Sequence, residues 1–119
     1  MTLIGQVLVI LVAFLHLFFA WVEMFAWTSL GPKMFRRFPK ELFEPTKIMA
    51  LNQGLYNGFL AVGLLYGVIS EDYPWQWDIQ MLFLTFVTVA GIVGALTVSR
   101  TIFYVQSAPA LMAMIFISY

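Results

Sequence analysis

LIGQVLVILVAFLHLFFAWVEMFAWT, residues 3–28, decides the architecture. The stretch is apolar almost throughout, interrupted by Gln6, His16 and Glu23 before it closes on Trp27 and Thr28. As a helix it would be roughly 39 Å long at 1.5 Å per residue, more than the ~30 Å of hydrocarbon in a bilayer. A secretory signal carries its basic residues ahead of a shorter apolar core. Here the Lys and Arg residues follow the run instead. The expectation is a helix that stays in the membrane.

The rest of the chain reads the same way. With 62% hydrophobic and 10% charged residues among 119, it lies outside the range of ordinary soluble domains. Residues 47–69, 77–99 and 101–119 are three further apolar segments of spanning length. The predicted fold is therefore all-α, a four-transmembrane-helix bundle forming one integral membrane domain over residues 1–119. Pro39 and Pro45 punctuate the first connection and Pro74 the second, while the last two spans meet in a tight hairpin near Arg100. The net charge is zero, so no global field recruits nucleic acid. There is no cysteine, which removes disulfides, thiolate metal sites and covalent haem attachment.

Orientation follows from the basic residues. Lys33, Arg36, Arg37, Lys40 and Lys47 surround the first connection and Arg100 marks the third, whereas the second carries Glu71, Asp72 and Asp78. Alternate connections of a four-span chain share a side, so the positive-inside rule puts that side in the cytoplasm and both termini outside. The localisation expected is the bacterial inner membrane. Met34, Phe35, Phe38, Leu42 and Phe43 lie among the basic residues at near-helical spacing, and Pro39 suits the first turn of a short helix. They predict a segment lying on the inner membrane surface, as a plain anchor or as a docking surface.

Polar groups inside the spans are costly and point to function. On the first helix His16 and Glu23 are seven apart and share a face, which Trp27 extends. One heptad is roughly 10 Å along the axis, so each needs a partner from elsewhere. The second helix offers Asn52, Gln53, Tyr56 and Asn57, together with Gly54 and Gly58 and a second glycine pair, Gly63 and Gly67. Small residues at this spacing let backbones approach closely, which predicts a central helix with all four glycines at helix contacts, within the chain or across a dimer. On that reading Gly58→Leu destabilises. The fourth helix contributes Gln106, beside a Val105 carbonyl that Pro109 leaves without its donor.

Counted from the inner boundary at 1.5 Å per residue, Glu23, Asn52, Gln53 and Gln106 all fall roughly 7–9 Å deep, with His16 and Asn57 nearer the midplane. One buried polar site is expected, with Glu23 and His16 as candidate acid–base groups. Asn52, Gln53, Tyr56, Asn57, Gln106 and Trp27 are its ligand-binding candidates. Each has a plain structural reading as well. The amides can glue helices together, Glu23 can snorkel or pair with Arg100 or Lys47, and His16 can be a neutral group bonded across helices. His16 and Glu23, a heptad apart, do not make a metal site.

His16 with Glu23-Met24-Phe25-Ala26-Trp27-Thr28, then Thr46-Lys47, Asn52-Gln53-Gly54-Leu55-Tyr56-Asn57-Gly58-Phe59-Leu60-Ala61, and Val105-Gln106 with Pro109-Ala110 form a recognisable set. It resembles the signature of a family of small four-span bacterial membrane proteins, domain of unknown function thirteen-zero-four. The resemblance covers essentially the whole chain, although the loop from Ser29 to Pro39 departs from the basic Pro-Arg-Gly-Arg-like stretch of that family. It implies a four-helix fold with these polar positions and no established activity.

Three functions compete. The first is a protein that binds, and in one version transforms, a lipophilic small molecule, with the amides orienting its polar head. No nucleophile motif, nucleotide loop or paired carboxylate supports a particular reaction. The second is a proton-coupled transporter or channel acting as a homodimer, weakened by the sparse polarity of the outer half of the first helix beyond Gln6. The third is a subunit of a larger membrane complex. One histidine per chain gives a haem or pigment one protein ligand, so the cofactor is left open.

Overall fold

The computed structural model describes residues 1–119, which form helices and turns without strands. Four helices are long and apolar enough to cross a membrane: α1 (Leu3–Phe25), α3 (Lys47–Ile69), α4 (Trp75–Thr97) and α5 (Arg100–Ile117). α2 (Gly31–Met34) is a single turn in the first connection. In the most apolar window of each long helix, 33% of α1, α3 and α4 and 22% of α5 is buried. The remainder is exposed and still apolar, with residues such as Leu11, Phe18, Phe59, Val62, Phe86 and Val93 pointing outward. Water would not tolerate such a surface over four helices; hydrocarbon does.

α3 occupies the expected residues. α1 stops at Phe25, short of Thr28, and this has a local cause. The N–H groups of Leu30 and Gly31 both reach the Ala26 carbonyl, at 2.8 and 3.3 Å, and turn the chain. Pro32 then sits in the first turn of α2, where its missing N–H costs nothing. Trp27 is thereby removed from the helix. Its indole N–H donates to Thr46 Oγ1 at 3.0 Å, and its ring packs on Phe43 and Phe35 with centroids 4.9 and 5.6 Å away. Phe43 is 2% exposed, so one of the loop aromatics is a core residue and not a surface anchor. A Cβ on Gly31 would come within 2.7 Å of the Phe43 ring, which explains the glycine there. Beyond Pro39 the expected turn appears over Lys40–Leu42, and Thr46 Oγ1 also donates to the Leu42 carbonyl at 2.8 Å.

The chain divides into two compact units. The first comprises Met1–Phe14 and Leu60–Tyr119, that is, the start of α1, the end of α3, and all of α4 and α5. Its core is Val9, Val12, Ala13, Leu64, Leu84, Val87, Ala110, Ala113 and Ile117. Close backbone approach defines its seams. A Cβ on Gly94 would meet Ile102, and one on Gly91 would collide with Ser107, so the α4–α5 hairpin, joined by only Val98 and Ser99, is tight. Ser107 is fully buried, and its hydroxyl donates to the Thr88 carbonyl at 2.8 Å. α5 is not regular: residues Phe103–Ser107 widen to a π-helical turn that ends two residues before Pro109. A proline removes a helix donor, and a π-turn is one way for the preceding segment to accommodate the break.

The second unit, Leu15–Phe59, holds the end of α1, the folded first connection and the start of α3. Here Gly54 is the contact point. A Cβ at that position would stand 2.6 Å from Met24 Cγ, 2.9 Å from the Ala20 carbonyl oxygen and 3.0 Å from Glu23 Cβ. Glycine lets α1 and α3 approach to within backbone contact, as small residues do between membrane helices.

Candidate functional site

The buried residues of α1 recur at helical spacing: Val9, Ala13, His16 and Ala20, with Glu23 next on the same line and half-buried. On α3 the buried line is Ala50, Gly54, Asn57, Ala61 and Leu64. In the second unit these lines meet at Gly54, and the polar residue that each carries there finds the other. The Asn57 amide donates to Glu23 Oε1. This hydrogen bond joins residues 34 apart in sequence and is the centre of the candidate site. Glu23 takes an amide partner and not the Lys47 ammonium, which instead pairs with Glu44 at 3.0 Å on the exposed surface.

His16 is fully buried, with its ring edge-on to Phe19 at a centroid distance of 5.7 Å and 75° between planes. It does not reach lipid. Asn57 is 5% exposed. Asn52, Gln53 and Tyr56 are exposed, away from the Glu23–Asn57 pair. The expected clustering of Glu23 with Asn52 or Gln53 is therefore corrected, since the helix presents Asn57 to Glu23 instead. Counting residues gives depth along the axis, whereas the side presented is set by the 100° step per residue, and only Asn57 falls on the buried line. Asn52 bonds back to its own helix, its Nδ2 donating to the Ile48 carbonyl at 3.3 Å. Trp27 lies past the end of α1, in the folded connection, and lines the same groove as Glu23. Gln106 lies in the first unit, half-buried in the π-helical turn, with its Cβ beside Gly91.

The glycine expectation holds at three positions. Gly54 packs as described, Gly63 lies under the Phe83 ring and Gly67 against Gln80. Within the chain Gly58 makes no such contact, since nothing lies within 4 Å of a Cβ built there.

One polar pairing escaped the sequence reading. In the first unit the Gln6 and Gln80 amides bond reciprocally, each Nε2 donating to the other's Oε1 at 3.1 Å. Gln80 is fully buried. The signal was present, because Gln80 begins the buried line Gln80, Leu84, Val87 and Gly91 on α4. The pair ties α1 to α4 through both amides, and Gln6 Nε2 also reaches Met1 Sδ at 3.3 Å, so it is read as a clasp rather than a site.

A groove of about 310 Å³ opens beside the carboxyl–amide pair. Its walls are Glu23, Met24, Phe25, Trp27, Thr28, Lys47, Ile48 and Leu51, all from the second unit. It combines one acidic and one basic side chain with aliphatic and aromatic surface. His16 does not line it.

Together these features define a multi-pass membrane protein, four apolar helices carrying a hydrogen-bonded carboxyl–amide pair inside their length. The chain belongs to the family described as "Protein of unknown function (DUF1304)", whose model matches residues 10–118. The match spans every motif on which the resemblance rested. The chain is also similar to "Uncharacterized protein YpaA" of Lactococcus lactis subsp. lactis (strain IL1403), with 30% identity over 117 residues covering 97% of each protein. No solved structure matches.

Proposed function

We propose that this protein binds an amphipathic, lipophilic small molecule in the groove beside Glu23. The observation that carries the reading is the Glu23–Asn57 hydrogen bond. A half-buried carboxyl group needs a partner, and Asn57 supplies one where α1 and α3 approach closely at Gly54. The groove then supplies polar groups at one end and apolar wall from Met24, Phe25, Ile48 and Leu51 at the other. Glu23 is the residue placed to exchange a proton with a bound molecule. The setting is the bacterial cytoplasmic membrane, with the groove and the basic connections inside and both termini outside.

Mass spectrometry of the protein released intact from membranes tests the binding reading. A defined amphiphile should stay with the wild type and be lost from Glu23→Gln, which keeps nearly the same shape. Equal retention by both would remove Glu23 from the site. For orientation, cysteines placed at Ser29 and Ser70 should be labelled from opposite sides, and labelling of the Ser29 position by an impermeant reagent in intact cells would reverse the assignment.

One observation favours a second reading, assembly with other membrane helices. Asn52, Gln53 and Tyr56 are exposed on a spanning helix. Amide and phenol groups facing hydrocarbon gain from a partner that bonds them, whether a second copy or a larger complex. Disulfide trapping through a cysteine at Gln53 distinguishes these outcomes by the mass of the product.

A further inference from the structure

The groove carries both signs of charge, and that restricts what can fill it. Glu23 as a carboxylate has two oxygens and roughly four acceptor positions. The hydrogen bond it makes within the chain comes from the Asn57 amide. Its remaining acceptor capacity lies toward the groove that it lines. Lys47, the basic side chain of the groove, pairs with Glu44 and not with Glu23. A carboxylate so placed gains most from a donor that brings positive charge.

Lys47 lines the same groove. Its ammonium has three donors, of which Glu44 uses one, and the side chain is 55% exposed. It is free to turn toward an anion. Glu23 lies two residues before α1 ends and Lys47 opens α3, so both are near helix ends, at the level where lipid head groups meet hydrocarbon. The volume, about 310 Å³, is at the small end for ligand sites. It holds a head group and the first few methylenes. Phe25 and Ile48, 75% and 63% exposed, continue the apolar wall outward to where the chains would run.

Resting on the binding reading above, we propose that the groove recognises a primary ammonium joined to a phosphate, the head of an aminophospholipid, with the ammonium at Glu23 and the phosphate at Lys47. A purely anionic head would meet Glu23 with like charge. A quaternary ammonium could not donate to the carboxylate at all. The chemistry is shared by a membrane lipid and by its water-soluble head, and the lipid is distinguished by needing the apolar wall.

The test uses the full chain, delipidated in detergent, titrated with phosphatidylethanolamine, phosphatidylcholine and phosphatidylglycerol of identical acyl chains and read by native mass spectrometry. The expected result is a preference for the ethanolamine lipid of about tenfold over the choline lipid, the size of one charge-assisted hydrogen bond. Glu23→Gln should remove that preference. Lys47→Gln should weaken both of these lipids alike. Thermal unfolding of both variants checks that they remain folded. Competition by soluble glycerophosphoethanolamine would show that the head suffices; its failure, with the lipid preference intact, assigns the site to the lipid. Equal binding of all three lipids, unaffected by Glu23→Gln, overturns the head-group assignment and leaves amphiphile binding standing. Binding of none of them overturns both.

Discussion

Gly54 and Gly58 look interchangeable in sequence, and the structure makes them opposites. Replacing Gly54 by Ala puts a methyl group 2.6 Å from Met24 Cγ, 2.9 Å from the Ala20 carbonyl oxygen and 3.0 Å from Glu23 Cβ. Met24 can swing aside, but the Ala20 carbonyl is helix backbone and cannot, so α1 and α3 must separate by several tenths of an ångström. Overpacking of this kind costs about 1–3 kcal/mol. At Gly58 the same methyl meets nothing within 4 Å. There the change carries only the intrinsic helix preference of Ala over Gly, about 1 kcal/mol in its favour in aqueous hosts. Both positions gain that preference, so Gly54→Ala should fall below Gly58→Ala by the overpacking term alone, about 1–3 kcal/mol. Reversible unfolding in mixed micelles, followed by tryptophan fluorescence, measures the difference. Because Glu23 Cβ is among the displaced atoms, Gly54→Ala should also release whatever Glu23 binds. Gly54→Ala as stable as Gly58→Ala would refute the close approach of the two helices, and with it the geometry of the site.

Other consequences are direct. Asn57→Ala leaves the half-buried Glu23 carboxyl without its amide and should cost about 1–3 kcal/mol in the same unfolding assay; a cost near zero would mean that the bond contributes nothing. Gln80→Leu and Gln6→Leu should each destabilise, whereas the double variant should recover part of the loss, with a coupling of about 0.6 kcal/mol as found for hydrogen bonds between membrane helices. Strict additivity would deny the clasp. Trp27→Phe keeps the ring stack on Phe43 but removes the donor to Thr46, and should raise proteolysis of the first connection without changing the four spans.

Much of this was legible without coordinates. Each span announced itself by local hydropathy, because a bilayer requires a helix to satisfy its own backbone and to cover about 30 Å with apolar side chains. Glu23 and His16 stand out for the same reason, as polar groups within apolar spans. Asn57 was among the residues singled out. What misled was the use of depth as a guide to convergence: Asn52, Gln53 and Glu23 were equally deep by counting, yet Asn52 and Gln53 are exposed. Gln80 was overlooked because one amide near a helix start looks unremarkable until the buried line of α4 is drawn through it.

Composition and order thus determined that the chain is all-helical and crosses the membrane four times, which residues are polar within those spans, and where the connections fall. These are properties of one segment in one solvent, and each can be evaluated alone. Tertiary structure decided which of the α3 amides faces Glu23, that Trp27 leaves α1 to bond Thr46, that Gly54 is a contact and Gly58 is not, and that Gln6 finds Gln80. Each of those depends on the rotation of one helix about its axis relative to a neighbour. Hydrocarbon treats exposed apolar sides alike, so that rotation is chosen by backbone approach and paired hydrogen bonds, which exist only once two helices have met.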